Sequence, residues 1–334
     1  TWERTDASIG LVANATKNGN AVTNDFDNIY PWSDIKTCNI SLNGTINAWY
    51  GDANFKFDGS NGEVMTYIPE FYYKRVQENG YEYQYISAYP KAGYSKSEAF
   101  YIGRYDIYES GGKAHSQSGV MPTANKTITS FRTLAKSNGT GWSQLDWRYF
   151  LIQMLYLVEY ADYNSQSKLG SGITGLASEA GRQTQGGCDS LGMKSGSLVN
   201  DGGHCVIYRG IEDVFGNVWQ FVDGINIKDN QAYINYNPAT YQVDKFDGDY
   251  QMMGYVNATS NDYSKKLGYD ANQPLVAFAT SLGGSSTTYM SDYYYQNTGN
   301  RIALVGGRWT SGAYAGIWYW TLGGTSGGSS DDIG

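Results

Sequence analysis

The sequence contains little cysteine, histidine or proline, and these shortages narrow the classes of protein it can belong to. Its 334 residues include three cysteines, two histidines and six prolines. Cys38, Cys188 and Cys205 form an odd set without the spacing of a metal site. We expect buried free thiols, with a single Cys188–Cys205 disulfide as the alternative.

Basic clusters and long apolar runs are also missing. The formal net charge is −8 and no run of lysine or arginine occurs, so nucleic acid is excluded as the ordinary partner. The longest apolar stretch lies within residues 147–160 and is interrupted by Arg148, Gln153 and Glu159. It is too short to span a bilayer, and we predict no membrane insertion.

The residues that are abundant favour a strand-rich globular chain. There are 31 tyrosines and 42 glycines, 41% of the residues are hydrophobic and 17% are charged. Tyrosine fits pleated strands and glycine fits tight turns. We therefore expect many short strands rather than a helical bundle.

One helix is predicted after residue 143. Ser143 and Asp146 have the spacing of a capping box, and Leu151, Leu155 and Val158 then repeat at helical intervals. Apolar residues on its other faces indicate packing on more than one side. Residues 171–203 are rich in Gly, Ser, Thr and Asp and are predicted to form a long surface connection.

The segment 309–334 has an unusual composition. It contains no Lys, Arg, Glu, Gln or Met, yet it has five aromatic residues, Trp309, Tyr314, Trp318, Tyr319 and Trp320. A flexible Gly/Ser tail is one interpretation. The aromatic residues favour the other, an adaptable binding surface in which Tyr and Trp give contact area and small residues adjust the hydrogen bonding.

Residues 301–334 resemble the variable region of proteins diversified by retroelements. In that family an asparagine-rich template is rewritten at the adenines of its AAC codons, which can become Thr, Ser, Tyr, Gly or Asp but not Lys, Glu, Gln, Met or Trp. Trp309, Trp318 and Trp320 are therefore interpreted as fixed scaffold. Tyr319 fits either class and is included with the positions that match template asparagines. All of these are interpreted as ligand-binding: Thr310, Ser311, Tyr314, Tyr319, Thr321, Gly323, Gly324, Gly328, Ser330, Asp331 and Asp332.

A second motif lies within residues 208–224. Its core, Gly216-Asn217-Val218-Trp219-Gln220, resembles the Gly-Asn-Val-Trp-Glu segment of the formylglycine-generating-enzyme branch of C-type lectin folds. Residues 99–108 are similar to the opening strand of that fold. We interpret Gly216, Asn217 and Trp219 as scaffold, with Trp219 as a large buried aromatic.

The resemblance implies an α+β protein with a C-type lectin fold, strand-rich with few helices and long loops. Residues 61–334 would form the ligand-binding domain, with a boundary near Asn61-Gly62 at a turn. Residues 1–60 resemble the lead-in of phage tail proteins and would form a small β-rich segment for attachment or oligomerisation.

Enzymatic chemistry is not supported by the residues. The enzymes of the branch use a cysteine pair near the chain end, and no cysteine follows Cys205. His204 and Cys205 are adjacent, so in an extended segment they point to opposite faces, and no Gly-x-Ser-x-Gly motif accompanies them. A glycan hydrolase using two of the 32 acidic residues is a rival without a candidate pair.

Calcium is the one cofactor that the resemblance suggests. In the enzyme branch the positions matching Asp213 and Gln220 belong to a structural calcium site. Glutamine stands here in place of the usual glutamate, which removes a charge and weakens affinity for a hard cation. We expect no cofactor, with calcium at Asp213 and Gln220 as the open alternative.

The sequence therefore predicts a non-enzymatic receptor-binding protein of a phage or prophage tail, whose variable surface binds a host cell-surface protein or glycan. A diversified bacterial surface-displayed or secreted binder is the alternative. The resemblance also implies a homotrimer. We expect Tyr314 and Tyr319 to be exposed beside Thr310 and Ser311, with Trp309 beneath them.

Overall fold

The computed structural model describes residues 2–334 and consists mainly of β-strands joined by turns. In chain order the strands are β1 (Lys36–Ile40), β2 (Ile46–Trp49), β3 (Glu63–Ile68), β4 (Phe71–Glu78), β5 (Tyr81–Ser87), β6 (Ser95–Ser97), β7 (Phe100–Gly103), β8 (Tyr108–Ser110), β9 (Lys113–His115), β10 (Ile207–Tyr208), β11 (Ile211–Glu212), β12 (Gln220–Lys228), β13 (Gln231–Ile234), β14 (Gln251–Val256), β15 (Asp262–Leu267), β16 (Ala279–Leu282), β17 (Tyr293–Gln296), β18 (Asn300–Gly306) and β19 (Gly316–Leu322). The α-helices within residues 2–334 are α1 (Ile128–Lys136), α2 (Tyr149–Tyr160) and α3 (Ser165–Leu169). The predicted strand-rich α+β class is confirmed.

The largest sheet carries the C-terminal half of the chain. Its eight strands lie in the order β14-β13-β12-β18-β19-β17-β15-β16. Strand β19 is central, antiparallel to β18 and parallel to β17. The last strand is thus hydrogen-bonded on both sides, which fixes the direction in which each of its side chains points.

Smaller sheets lie in the N-terminal half. One has the order β2-β1-β3-β7, a second has the order β5-β4-β6, and β8 and β9 form a hairpin. A further short pair, β10-β11, lies in the segment that precedes β12. No helix among residues 2–334 is long and apolar enough to cross a membrane.

Helix α2 lies at the centre of the main core. Phe150 stacks on Trp320 of β19 at 5.0 Å between ring centroids, and Tyr156 packs on Trp318 at 5.5 Å. Of its residues only Val158 is not fully buried, which confirms the prediction that this helix packs on more than one side. A helix apolar on all faces has no solvent side to present.

The predicted start of this helix is wrong. The helix begins at Tyr149, and its N-cap Arg148 makes no side-chain capping bond. Asp146 instead accepts a hydrogen bond from the Arg148 backbone at 3.0 Å and forms an isolated bridge with Asp223. Tertiary pairing therefore keeps residues 143–148 out of the helix despite the capping-box spacing. Helix α1, capped by Thr127, was not predicted.

Residues 2–60 pack against the rest of the described chain. Strand β1 pairs with β3 across the predicted boundary, so Asn61-Gly62 lies in a turn that connects strands of one sheet. The Trp32 indole donates to the Leu155 carbonyl of α2 at 3.2 Å, and Thr16 bonds to both Ser195 and Ser197 through its backbone. The lead-in combines two strands with short 3-10 turns.

The segment 171–203 is more than the predicted surface connection. Ile173 and Leu191 are buried in a cluster with Trp309, and Cys188 in the same cluster is bonded to Cys205. The expectation of free thiols at these two positions is therefore wrong, while Cys38 is free and buried as expected. Burial raises the pKa of the Cys38 thiol to about 12, which suppresses the reactive thiolate.

Candidate ligand-binding surface

The turn between β18 and β19 carries three of the positions interpreted above as variable, Thr310, Ser311 and Tyr314. It covers residues 307–315 and contains a short 3-10 turn, Gly312–Tyr314. Gly306 and Gly307 both have positive φ, at 95° and 86°, a conformation that glycine adopts without steric cost. They let the chain leave β18 and return as β19 within nine residues.

The backbone of this turn is hydrogen-bonded to neighbouring segments. Gln166 of α3 donates from Nε2 to the carbonyls of Gly312 and Ala315, at 2.9 and 2.8 Å. The Gly312 N–H donates to the Thr174 carbonyl at 2.7 Å, and the Trp309 carbonyl accepts from the Leu176 N–H at 2.8 Å. These bonds use main-chain groups of the turn and do not depend on the Thr310 or Tyr314 side chain, whereas the Ser311 hydroxyl accepts from the Arg308 N–H at 2.9 Å.

Trp309 anchors the turn in the protein interior. Its side chain is 3% exposed and packs with the Cys188–Cys205 disulfide. The indole Nε1 donates to the Ser178 carbonyl at 3.2 Å. Thr310 and Ser311, which follow it, are half-buried at the surface. Trp309 thus lies beneath the side chains that the turn presents.

Strand β19 directs alternate side chains to opposite faces of the sheet. Trp318 and Trp320, 4% and 1% exposed, point to α2. Tyr319 lies on the other face, where its ring is 4.6 Å from that of Trp219 and 6.0 Å from that of Tyr293. The period of two along a strand produces this separation.

A group of tyrosines covers that face, with Tyr314 exposed and Tyr263 and Tyr293 half-buried. Tyr314 is 46% exposed, and its ring lies 4.6 Å from Tyr293 and 5.6 Å from Tyr263. Tyr263 and Tyr293 are themselves 5.3 Å apart. We call Tyr263, Tyr293 and Tyr314, with the adjoining Thr310 and Ser311, the tyrosine surface. Offset and edge-on packing of this kind orders aromatic rings while leaving their hydroxyl edges accessible.

Sequence reasoning missed two members of the tyrosine surface. Tyr263 belongs to β15 and Tyr293 to β17, which lie far from residue 314 along the chain. The run Tyr293-Tyr294-Tyr295 gave a signal, because alternation in a strand places its first and third rings on one face. Tyr294 points inward and is 1% exposed, whereas Tyr295 is 39% exposed.

Tyr319 is buried, contrary to the exposure predicted for it. Its side chain is 8% exposed beneath the tyrosine surface. Burial is the main cause that raises the pKa of its hydroxyl, with the neighbouring Tyr293 and Tyr314 adding to it. The rings of Trp219 and Tyr293 pack against its ring. Tyr319 therefore lies beneath the tyrosine surface and is not exposed on it.

The next variable-type positions lie at the end of β19. Thr321 is half-buried and lies opposite Leu304 and Tyr295 on the neighbouring strands. A Cβ on Gly323 would lie 2.6 Å from the ring of Tyr295, whose exposure gives it room to move. A Cβ on Gly324 would lie 2.9 Å from the buried Leu304 side chain. A larger residue at Gly324 would therefore disturb packing, unlike one at Thr310.

The final turn returns towards the start of the variable region. Asp332 forms an ion pair with Arg308, and its carbonyl accepts from the Trp219 N–H at 2.8 Å. Asp332 is 7% exposed, so it joins the two ends of the region rather than facing solvent. Asp331 is exposed, and Gly328 and Ser330 are half-buried.

The segment before β12 supports this region from below. Asn217 has a positive φ of 60° and accepts a hydrogen bond from the Gln183 N–H at 2.7 Å. Its own Nδ2 donates to the Gln183 carbonyl and to Asp213, both at 3.1 Å, while its carbonyl accepts from the Trp309 N–H at 3.1 Å. Gly216 has no room for a side chain, because a Cβ would lie 2.8 Å from the Ile173 carbonyl.

The pair Asp213 and Gln220 does not fit a calcium ion. Gln220 donates from Nε2 to the Asp213 carbonyl at 2.8 Å, so an N–H group faces the oxygen that a cation would need. Calcium takes six to eight oxygen ligands, and of these two side chains only Asp213 supplies a carboxylate. Burial, followed by the charges of Glu212 and Asp106, raises the pKa of Asp213. The Gln220 amide therefore occupies the Asp213 carbonyl with a hydrogen bond, where a cation would need that oxygen.

Neither histidine stands beside a nucleophile. His204 contacts Asp201 at 2.9 Å and is exposed, and the sulfur of the adjacent Cys205 is bonded to Cys188. His115 contacts Glu63 at 2.9 Å. The arrangement of these side chains gives no histidine–nucleophile pair within residues 2–334.

Comparison of the chain with protein-family models and with curated proteins finds no match.

Proposed function

We propose that this protein is a non-enzymatic binding protein with a C-type lectin fold, whose tyrosine surface recognises a protein or glycan on a host cell. The observation that carries the proposal is the position of Tyr314. It is exposed on a turn whose backbone is hydrogen-bonded and in which Trp309 is buried. A fixed backbone under an exposed Tyr and half-buried Thr and Ser side chains is the arrangement of an adaptable binding surface.

Diversification by a retroelement is part of the proposal. Thr310, Ser311 and Tyr314 have residue types that AAC codons can produce, and all three lie at the surface. The tryptophans that such codons cannot produce, Trp309 and Trp320 among them, are buried. Comparison of the coding DNA with a near-identical template repeat tests this, because the differences should be confined to template adenines.

We assign the protein to a phage or prophage tail, with a bacterial surface-displayed or secreted binder as the alternative. The Cys188–Cys205 disulfide supports a site of action outside the cytoplasm, since disulfides persist mainly in oxidising surroundings. Neighbouring tail genes would support the tail, and an upstream lipoprotein signal would support the cell surface.

A homotrimer would suit such a surface. Short side chains bind weakly one copy at a time, whereas several copies on one particle raise avidity by about 10²–10⁴-fold. We expect three tyrosine surfaces facing the same way, with residues 1–60 near the axis. Light scattering of the full-length chain tests this, and a monomer at micromolar concentration would reject the trimer.

The binding test uses fluorescently labelled protein on a panel of bacterial cells. Replacing Tyr314 or Tyr293 with alanine should abolish cell binding, because each removes a ring from the tyrosine surface. Tyr89→Ala is the matched control, since Tyr89 is 75% exposed and makes no ring contact with the tyrosine surface. Equal binding by the Tyr314 and Tyr89 variants would place the recognition site elsewhere.

A further inference from the structure

A cavity of about 180 Å³ lies apart from the tyrosine surface. Its walls come from β7, α1, residues 142–148, and the ends of β11 and β12. None of Tyr263, Tyr293 and Tyr314 lines it. The volume is comparable to the roughly 150 Å³ that holds a benzene molecule in an engineered apolar cavity. The cavity therefore has room for a small organic molecule.

Aromatic rings form much of the cavity wall. The lining includes Phe100, Tyr101, Phe131, Trp142 and Phe221. Tyr101 is 39% exposed, so the cavity reaches the molecular surface beside it. Aromatic faces attract apolar groups and also cations, whose charge interacts with the negative face of the ring.

The charged groups in the wall are paired, with one exception. Glu63 contacts His115 at 2.9 Å, and Asp146 forms an ion pair with Arg148. Glu212 accepts two backbone N–H groups at 2.6 and 2.9 Å. These carboxylates already have donors, so they have little need of a ligand.

Asp106 is the exception. Its Oδ2 atom is buried and has no hydrogen-bond partner among the described residues. Desolvation, with the charge of Glu212 added, raises the pKa of Asp106 to about 8. A buried carboxyl without a donor is a costly feature unless something binds to it.

Gln144 is a second unpartnered group in the same wall. Its side chain is only 7% exposed, and neither Nε2 nor Oε1 has a partner among residues 2–334. Gln144 thus adds both a donor and an acceptor. Two residues with unused hydrogen-bonding capacity therefore belong to the wall of one aromatic-lined cavity.

We propose that this cavity binds a small organic cation, an arylalkylamine in its ammonium form, with the ammonium group on the Asp106 carboxylate. Its ring would lie among the aromatic side chains of the wall, and Gln144 would bond to remaining polar hydrogens. Pockets of this composition, largely apolar with a few convergent polar groups, are the usual form of small-molecule sites.

The test is calorimetric titration of the full chain with benzylamine at pH 8. At this pH about half of the Asp106 carboxyl groups are ionised in the free protein, and a bound cation favours that form. We expect saturable binding at millimolar concentration. Benzyl alcohol has the same ring without the charge and should bind roughly tenfold more weakly or worse, as for loss of one charge-assisted hydrogen bond. Absence of benzylamine binding would overturn the proposal, and equal binding of the alcohol would overturn the assignment of a cation.

Two variants locate the site. Asp106→Asn should weaken benzylamine binding by roughly tenfold or more, and Gln144→Leu should weaken it less. Both should fold normally by circular dichroism, because no hydrogen bond of Asp106 Oδ2 or of the Gln144 amide is lost. Asp249→Asn, at an exposed position outside the cavity wall, is the matched control and should bind like the parent protein. Unchanged affinity in a folded Asp106→Asn protein would place the amine elsewhere.

Discussion

Two glycine-containing loops meet at Trp309 and differ sharply in exposure. In residues 211–220 every side chain before Trp219 is buried, and Asn217 is bonded through each of its polar atoms. The turn 307–315 also contains glycines with positive φ, yet it presents Tyr314 to solvent. Both segments thus contain glycine at positive φ, and they differ in the burial of the side chains that follow it.

From this comparison we expect stability and recognition to depend on different side chains of the same elements. On β19, Trp318 and Trp320 pack on α2, whereas Tyr319 supports the opposite face. A change at an exposed position such as Tyr314 leaves the interior contacts intact. The following variants test this division, beginning with the largest expected loss of stability.

Replacing Trp320 with alanine should destabilise the protein by about 3–5 kcal/mol, as for other large buried aromatics. The side chain is 1% exposed and contacts Phe150 and Phe278, each at 5.0 Å between ring centroids. Chemical unfolding measures the loss. Trp219→Ala is the control and should cost less, because Trp219 is only half-buried rather than the fully buried aromatic that its motif suggested. Equal losses would show that the two faces of the sheet contribute alike.

Removing the Cys188–Cys205 disulfide should cost about 3 kcal/mol, the value expected for a loop of this length. The two cysteines are 17 residues apart, and the bond lies against Trp309. A protein with both cysteines replaced by serine should unfold at lower denaturant concentration than the parent. Cys38→Ser should leave sensitivity to a reducing agent unchanged. A parent protein insensitive to reduction would argue that the loop is held by packing alone.

Asn217→Ala should lower the free energy of unfolding by about 2 kcal/mol, because it leaves buried groups without hydrogen-bond partners. The change removes the hydrogen bonds of Asn217 to Gln183 and Asp213. Alanine also tolerates the positive φ poorly. Thermal unfolding gives the measurement. Asn300→Ala, at an exposed asparagine of β18, should leave the melting temperature nearly unchanged. The same small effect at both positions would mean that the buried loop is not a fixed support.

Tyr314→Ala should change stability by less than about 0.5 kcal/mol, as for surface substitutions in general. Its side chain is 46% exposed, and its ring contacts are with Tyr263 and Tyr293 of the tyrosine surface and, at 6.5 Å, with Tyr319 beneath it. The same variant should lose binding to cells. A loss of stability as large as that of Trp320→Ala would contradict the division between support and display.

Several features were predictable because they depend on residues close together in sequence. Alternation along residues 316–322 separates Trp318 and Trp320 from Tyr319, and the apolar residues of α2 predict a helix buried on several sides. The composition of residues 309–314 identified an exposed tyrosine above a buried tryptophan. The start of α2 was not predictable in this way, because the bridge of Asp146 to Asp223 overrides the local capping signal.

The sequence by itself determined the strand-rich class, the period of two on β19 and the residue types of the turn 307–315. Only the tertiary structure decided which tyrosines share a surface, since β15 and β17 bring Tyr263 and Tyr293 to Tyr314. It also decided that Tyr319 is covered and that Cys188 meets Cys205. Local pattern fixes the direction of a side chain relative to its own strand, but burial depends on which distant strand lies beside it, and that pairing is a property of the whole chain.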